Sequence, residues 1–367
     1  MVQETMTQVA DDPALLSEMM DDLRAGDERY RPTNYWTYYQ KRFLPELHKY
    51  GLKNFRRRKN SVLNAFAATD RMYRPRVKLK RLFRGSERIS RIIDKIMFGR
   101  NPVLDLFVPD LPLGSITSWL HGYARRRFDL IGLNLAGCPT SQYGNPEDST
   151  AINGKPWSTM HLQYCVIFAD AARFIRFKPD SVICELGTGM GRNIEVMAHL
   201  FDNATFLMFD IPPQLYVAHQ YLQKVFGSRV IGYREAKALQ PDSPGAMEYI
   251  RGKIVMLPTW RMPSWASTKI DIFWNCASFQ EMEPDVVANY LKLVVRMRPD
   301  WIYINAMPKG INWEDWKPAS GGTKAPVTED SYAEALRGHY AVRHTYDTDY
   351  FFRANEYRSY VFEAFTR

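Results

Sequence analysis

Two carboxylates and three glycines form the first group of residues whose types and spacing indicate chemistry. Glu185 closes an apolar run, and Gly187, Gly189 and Gly191 follow it in "ICELGTGMGRN". Asp210 ends the next apolar run, 21 residues after Gly189. Glycines without a Cβ let backbone N–H groups approach a ligand, and the helix N-terminus that follows adds a positive partial charge. The group therefore predicts a nucleotide-type turn with Asp210 on a ribose diol.

The carboxylate of Glu185 distinguishes between the ligands that such a turn could bind. A dinucleotide loop reads G-x-G-x-x-G, whereas here the third glycine comes one residue earlier and Arg192 holds the later place. A carboxylate at this point would repel a pyrophosphate and attract the cationic amino-acid part of S-adenosylmethionine, through its ammonium or a bridging water. The residues favour S-adenosylmethionine, and the alternative is a tight strand-to-helix turn with two incidental acids.

At "ELGTGMG" and Asp210 the sequence resembles the class I methyltransferases, which share a seven-stranded sheet and use S-adenosylmethionine. More narrowly, it is similar to the sugar O-methyltransferases of bacterial natural-product and polysaccharide clusters. The stretches that carry this similarity are "ICELGTGMGRN", "FDIPPQLYVAHQYLQKVFG", "IVMLPTW" and "DIFWNCASFQEMEPDVVANYL". The resemblance covers roughly residues 35–310 and implies methyl transfer to a hydroxyl of a sugar or a glycosylated natural product.

The resemblance also implies a set of cofactor contacts: Glu185, Gly187, Gly189, Gly191, Asp210, Ile211, Pro258 and Asn275. Asp210 is assigned to the ribose and Ile211 to the adenine, and Pro258 ends the strand expected beside that ring. Asn275 ends the fourth major strand, and open parallel sheets bind ligands beyond the carboxyl ends of their strands. The alternative for Asn275 is a side chain that caps the next turn.

Methyl transfer to a sugar hydroxyl is an in-line displacement that calls for a general base near the acceptor. Glu281 in "SFQEM" is the first candidate base, and Gln280 beside it is assigned to orienting the sugar. The alternative for Glu281 is an acid stabilised at a helix N-terminus. His161, in the helix that leads into the first strand, is the second candidate base, and its alternative is a packed or surface residue.

The sequence indicates no metal site, because it contains no HxxxH and no close His/Asp/Glu cluster. Mg²⁺ held by carboxylates distant in sequence stays open as an alternative.

The four cysteines lie far apart without CxxC spacing, which favours reduced thiols in a cytoplasm over disulfides or zinc. No apolar run reaches the ~18 residues of a membrane span, and no secretory signal is recognised.

Positive charge is concentrated in one part of the chain. Residues 41–100 contain 19 Lys and Arg against 4 Asp and Glu, a net +15, so the rest of the chain carries −6 of the total +9. A solvated helical face is one interpretation of this segment, and an anionic substrate is another. A third is an RNA or other nucleic-acid methyltransferase that holds phosphates with residues 41–100. The first expectation for the partner is a sugar-containing small molecule, and a homo-oligomer is compatible with the sequence.

Alternating strands and helices must position these residues. Strands are predicted at "SVICEL", "TFLMFD", "KIVMLP", "DIFWN", "WIYIN", "YAVRHTY" and "YRSYVFEAF", with helices between most of them. The pattern predicts a Rossmann-like α/β fold: seven strands, mostly parallel, with an antiparallel C-terminal edge strand. The predicted organisation is a flexible N-terminus (1–30), a helical cap or substrate region (31–157) and a cofactor-binding domain (158–367). Lys309, Trp313 and Trp316 are expected on a loop at the mouth of the site, where tryptophan faces suit sugars, or in a lid packed by its own aromatics.

Overall fold

A computed structural model describes residues 7–58, 63, 113–311, 321–348 and 357–365. The strands in this part are β1 Ser149–Ile152, β2 Lys155–Ser158, β3 Val182–Leu186, β4 Thr205–Asp210, β5 Val230–Ile231, β6 Ile254–Pro258, β7 Ile272–Cys276, β8 Trp301–Ala306, β9 Tyr340–Thr348 and β10 Tyr357–Ala364. The α-helices are α1 Pro13–Ala25, α2 Asn34–Tyr50, α3 Leu113–Asp129, α4 Thr159–Ala171, α5 Arg192–Leu200, α6 Gln214–Phe226, α7 Tyr233–Ala238, α8 Ala246–Tyr249, α9 Met262–Trp265, α10 Pro284–Met297 and α11 Glu329–Leu336.

The main sheet has the strand order β5-β6-β4-β3-β7-β8-β10-β9. Every pairing is parallel except those of β10, which runs antiparallel to both β8 and β9. The predicted Rossmann-like α/β class is therefore confirmed. The described sheet has eight strands rather than seven, because Val230–Ile231 pairs with β6 as a short edge strand. At the other edge β9 is outermost, and antiparallel β10 lies one place inside it.

The central strands are buried along almost their whole length because helices cover both faces of the sheet. Successive residues of β4 alternate between two cores: Phe206 and Met208 join α1, α4, α5 and α6 on one face, as expected for a strand period of two. Leu207 and Phe209 join α10 and α11 on the other face. Because β3, β4, β6, β7 and β8 are parallel, their carboxyl ends meet along a single edge of the sheet.

Two local expectations were wrong. The N-terminal 30 residues were expected to be flexible, but α1 buries Leu15, Leu16 and Met19. Its N-terminus is capped by Asp12, whose carboxylate accepts a hydrogen bond from the Leu15 N–H at 2.9 Å. The acidic composition hid the helical spacing of these few apolar residues. Residues 31–157 were predicted to form a helical region, but β1 and β2 form a hairpin within it.

The β1–β2 hairpin turns at Asn153 and Gly154, which both have positive φ values, 53° and 74°. An Asn-Gly pair between two short strands is the strongest short-range hairpin signal, so the sequence contained the information. The helix predicted to carry His161 is α4, and the Ser158 hydroxyl caps it by accepting a hydrogen bond from the His161 N–H. No helix in the ranges described is long and apolar enough to cross a membrane.

Candidate functional site

The carboxyl ends of β3, β4 and β7 open onto a cleft of about 330 Å³. Its lining includes Gly187, Gly189, Asp210 and Ile211 from the predicted cofactor set. Tyr35 and Trp36 of α2, Tyr164 of α4, Tyr290 and Tyr357 also line it. The volume falls in the range of small-molecule sites, and the position is the one that open parallel sheets use for ligands.

Glycines of the loop between β3 and α5, residues 187–191, are required by packing inside the protein. Gly187 has a φ of +74°, and a Cβ there would overlap the side chain of Ser278. Gly191 has a φ of +82°, and a Cβ there would lie 2.6 Å from Cδ1 of Leu222. Gly187 and Gly189 still line the cleft, whereas Gly191 is packed behind it. A direct cofactor contact from Gly191 is therefore not supported.

Asp210 ends β4 with its carboxylate held by the backbone of the turn. Oδ2 accepts from the Gly189 N–H and Oδ1 from the Ile211 N–H, both at 2.7 Å. Burial raises the pKa of Asp210 to about 7, although these two backbone donors act in the opposite direction. Each oxygen has a second lone pair, so the carboxylate can also accept from a hydroxyl in the cleft.

Glu185 lies at the end of β3 and is completely buried. It is not part of the cleft wall, so the structure does not support the predicted direct contact with a cofactor. Its Oε1 accepts from Nδ2 of Asn193 at 2.7 Å, and Asn193 does line the cleft. Burial raises the pKa of Glu185 to about 8; the Asn193 hydrogen bond lowers it, and nearby Asp210 raises it.

Several buried polar atoms around the cleft have no hydrogen-bond partner in the part of the chain that the structure describes. Those on lining residues are Thr188 Oγ1, Arg192 Nη1 and Nη2, Asn193 Oδ1, and Gln214 Oε1 and Nε2. The Arg192 guanidinium is 6% exposed and lies 5.5 Å from the centre of the Tyr164 ring. An unsatisfied buried polar group destabilises the fold by about 1–3 kcal/mol, so such a cluster indicates that a polar ligand completes the site.

Sequence reasoning did not assign Thr188, Arg192, Asn193 or Gln214 to the site. Arg192 and Asn193 occupy the first turn of α5, directly after the glycine loop, and Gln214 begins α6 after Asp210 and Ile211. Their place at helix N-termini beyond parallel strands was a usable signal. Their burial and their lack of partners could only come from the tertiary structure.

Glu281 lines the cleft and is held by the N-terminal part of the chain. Its Oε2 accepts from the indole Nε1 of Trp36 at 3.0 Å, and its carbonyl oxygen accepts from the Thr33 hydroxyl at 2.9 Å. Gln280, its neighbour, is completely buried and lies outside the cleft wall. The two residues belong to a 3₁₀ turn, Phe279–Glu281, in which successive side chains project about 120° apart. The structure therefore gives no support to the predicted sugar-orienting role of Gln280.

His161, the second candidate base, is also outside the cleft. It is 2% exposed, and its Nε2 lies 2.9 Å from the carbonyl oxygen of Cys138. The wall residue that α4 supplies is Tyr164, three positions further along. The packed alternative for His161 is the one that the structure shows, because the histidine faces a buried loop and α5 rather than the strand ends.

Pro258 and Asn275 are buried behind the wall as well. Pro258 ends β6 inside the sheet, and the following residue, Thr259, lines the cleft instead. Asn275 Nδ2 donates to the Leu186 carbonyl oxygen and to the Ser278 hydroxyl, both at 2.9 Å. Its capping alternative is thus the observed one, because its amide ties the end of β3 to the loop after β7.

The remaining predicted features fall largely outside the described residues. Trp313, Trp316 and residues 59–62 and 64–100 of the basic segment lie there, whereas Lys309 is exposed and away from the cleft wall. In the described part of the segment, Arg56 donates to the carbonyl oxygens of Ser141 and Tyr143. These hydrogen bonds give Arg56 a structural role, because they join it to the loop that contains Ser141 and Tyr143.

Comparison with protein-family models and with curated proteins gave no match. Among solved structures, the chain is similar to magnesium protoporphyrin IX methyltransferase from Synechocystis PCC 6803 with bound SAH, at 15% identity over 56% of this chain and 84% of that one, with a TM-score of 0.38. It is also similar to a SAM dependent methyltransferase from Aquifex aeolicus, at 12% identity over 53% and 88%, with a TM-score of 0.34. At such identities and TM-scores, substrate and chemistry have to be argued from this chain's own residues.

Proposed function

We propose that the chain binds S-adenosylmethionine in the cleft and catalyses methyl transfer to a hydroxyl of a sugar or a glycosylated small molecule. One observation carries the cofactor assignment. The lining of the cleft at the carboxyl ends of the parallel strands combines the Asp210 carboxylate with buried donor and acceptor atoms that have no hydrogen-bond partner among the described residues. A ligand with a diol, a cation and an anion in one molecule can pair with all of these groups.

The residues present fit each part of that cofactor. Asp210 retains acceptor capacity for the ribose hydroxyls, and Ile211 and Tyr290 offer apolar surface for the adenine. Asn193 has its Nδ2 committed to Glu185, so the unpartnered Oδ1 is the atom that can accept from an ammonium group. The guanidinium of Arg192 is suited to a bidentate pair with a carboxylate. The carboxyl of Glu185, once ionised, disfavours a pyrophosphate at the same place.

S-adenosylmethionine, when bound, supplies an activated methyl group, and the protein's share is to align the acceptor and remove its proton. Glu281 is the base in this proposal, because it is the carboxylate of the predicted catalytic set that reaches the cleft. The Trp36 indole fixes one of its oxygens. A positioned base contributes about 10²–10⁴-fold to such a step.

The acceptor class rests on the aromatic residues in the cleft lining together with the resemblance in sequence. Tyr35, Trp36, Tyr164 and Tyr357 belong to that lining. Aromatic faces with polar tips suit sugars, which have apolar C–H faces and hydroxyl edges. Glu281 also lines the cleft, so a sugar bound there can present a hydroxyl to its carboxylate.

Calorimetry with S-adenosylmethionine tests the cofactor assignment, with NAD and FAD as controls and Asp210→Ala as the binding-deficient variant. Binding of NAD or FAD in preference to S-adenosylmethionine would overturn the proposal at its base. Labelled methyl transfer to nucleotide sugars, glycosides and total RNA, with and without EDTA, then tests the acceptor and the need for a metal. Label in RNA alone would replace the sugar assignment by nucleic-acid methylation.

A further inference from the structure

A second cluster of reactive side chains lies in the core, away from the cleft. The ligand atoms of Cys138, His161 and Cys165 all lie within 4.8 Å of one another. The Cys138 sulfur is 3.5 Å from Nε2 of His161. The two cysteines are 0% exposed and the histidine 2%. None of the three lines the cleft, so the proposed methyl transfer gives them no task.

The placement of the three residues follows from the local structure. His161 and Cys165 are four residues apart on α4, and this spacing puts both side chains on the same face of a helix. Cys138 joins them at the end of the short 3₁₀ helix Leu135–Gly137. The sequence showed no CxxC or HxxxH pattern, and the spacing of His161 and Cys165 was the signal that it did contain.

The distances suit a metal ion bound by sulfur and imidazole. Zinc–sulfur bonds of about 2.3 Å and zinc–nitrogen bonds of about 2.0–2.1 Å at a tetrahedral angle separate the ligand atoms by roughly 3.5 Å. The observed separation of Cys138 Sγ and His161 Nε2 is 3.5 Å. Two thiolates with one imidazole select thiophilic ions over the hard cations Mg²⁺ and Ca²⁺.

The surroundings of His161 supply the support that metal-bound histidines use. Its Nδ1 has no hydrogen-bond partner among the described residues and lies 3.9 Å from Oε2 of Glu195. A histidine that ligates through one nitrogen generally donates the other N–H to a carboxylate. Glu195 is itself fixed, because it accepts from the Ser141 N–H and from the Tyr221 hydroxyl. The Cys138 carbonyl oxygen, 2.9 Å from Nε2, is available as a further ligand.

We propose that Cys138, His161 and Cys165 bind a thiophilic d¹⁰ metal ion, Zn²⁺ or Cu⁺, in a structural site separate from the cleft. Binding replaces the two thiol protons, which pass to solvent, by two metal–sulfur bonds and one metal–nitrogen bond. The site would fix the loop at Cys138 against α4 and, through Glu195, against α5. Because α5 carries Arg192 and Asn193 at its start, the ion would stabilise the scaffold of the cleft without touching a substrate.

Elemental analysis of the full-length protein tests this site without any measurement of activity. Wild-type protein should carry close to one zinc or copper ion per chain, and the identity of the metal distinguishes the two ions. Cys138→Ser and Cys165→Ser should lose it, whereas Cys184→Ser should keep it. Cys184 is the matched control because it is equally buried but lies in β3, outside the cluster.

If a serine variant fails to fold, thermal unfolding and cobalt substitution test the metal site in the proteins that do fold. A chelator should lower the Tm of wild type and of Cys184→Ser, and cobalt should produce the charge-transfer absorption of thiolate ligands in both. Two results would overturn the proposal: wild-type protein that binds neither zinc nor copper after reconstitution with each, or a Tm that the chelator does not change. Either result would show that the cluster is only a packed set of thiols beside a hydrogen-bonded histidine.

Discussion

Replacing Glu185 by glutamine should stabilise the ligand-free protein while it weakens binding of a cationic ligand. Glu185 is fully buried, and one of its oxygens has no hydrogen-bond partner in the described structure. Burial raises its pKa from 4.5 to about 8. Glutamine has nearly the same shape, and its amide oxygen can keep the hydrogen bond from Asn193. The substitution therefore removes the buried charge and little else.

The size of the effect follows from linkage. At 1.36 kcal/mol per pKa unit, a carboxyl whose pKa rises from 4.5 to about 8 on folding destabilises the fold by roughly 4–5 kcal/mol above pH 8. Below the unfolded-state pKa, Glu185 is protonated in both the folded and the unfolded protein, so it does not destabilise the fold. The destabilisation grows as the pH rises from the unfolded-state pKa to the folded-state pKa. The gain in unfolding free energy for Glu185→Gln should thus increase by about 4 kcal/mol between pH 5 and pH 9.

Urea unfolding of wild type and variant at pH 5, 7 and 9 measures this gain directly. Glu248→Gln is the matched control, because Glu248 forms an exposed pair with Arg251 and such pairs contribute at most about 1 kcal/mol. A gain for Glu185→Gln that is equal at pH 5 and pH 9 would refute the idea of an uncompensated buried carboxylate. Calorimetry in buffers of different ionisation enthalpy tests the effect on ligand binding: at pH 7, S-adenosylmethionine should release more protons from wild type than from the variant.

Three further predictions concern the cleft itself. Asp210→Asn should weaken S-adenosylmethionine binding by about 10- to 100-fold in calorimetry, since a charged acceptor becomes a neutral amide. Arg192→Leu should weaken binding of S-adenosylmethionine by a similar factor but leave the affinity for its decarboxylated analogue unchanged; equal losses for both ligands would contradict a carboxylate contact. Glu281→Gln should lower kcat by about 10²–10⁴-fold with an unchanged Kd for the cofactor, and normal turnover would show that another group is the base.

The sequence predicted the sheet and the position of the cleft because both depend on local patterns. Apolar runs in the central strands and the glycine loop after β3 fix the strand ends, and strand ends place ligands. Which neighbouring side chain faces the cleft was much less predictable. Asn275, Gln280 and His161 stand next to, or one turn away from, residues that do line it, and their orientation is set by register and by contacts with distant segments.

Burial was the other property that the sequence concealed. In the sequence, Arg192 is a polar residue at the place of a glycine, but two of its buried guanidinium nitrogens have no hydrogen-bond partner among the described residues. Gly187 was predicted to be a glycine because a ligand approaches it. In the structure, the side chain of Ser278 occupies the space that a Cβ of residue 187 would need. In both cases the deciding contact, or its absence, involves chain segments that meet only in the folded state.

In the proposed function, cofactor binding and catalysis draw on different parts of this architecture. The cofactor half of the cleft is built at the edge of the sheet, from the glycine loop, Asp210 and the start of α5. The catalytic half depends on α2, because Trp36 holds Glu281 across 245 residues of sequence. α2 is in turn fixed by hydrogen bonds from Asn34 to the Gly322 carbonyl oxygen and from Gln40 to the Pro212 carbonyl oxygen. Since α2 also supplies Tyr35 to the wall, the same docking that orients the base shapes the acceptor side, and changes in α2 should act on turnover before they act on cofactor affinity.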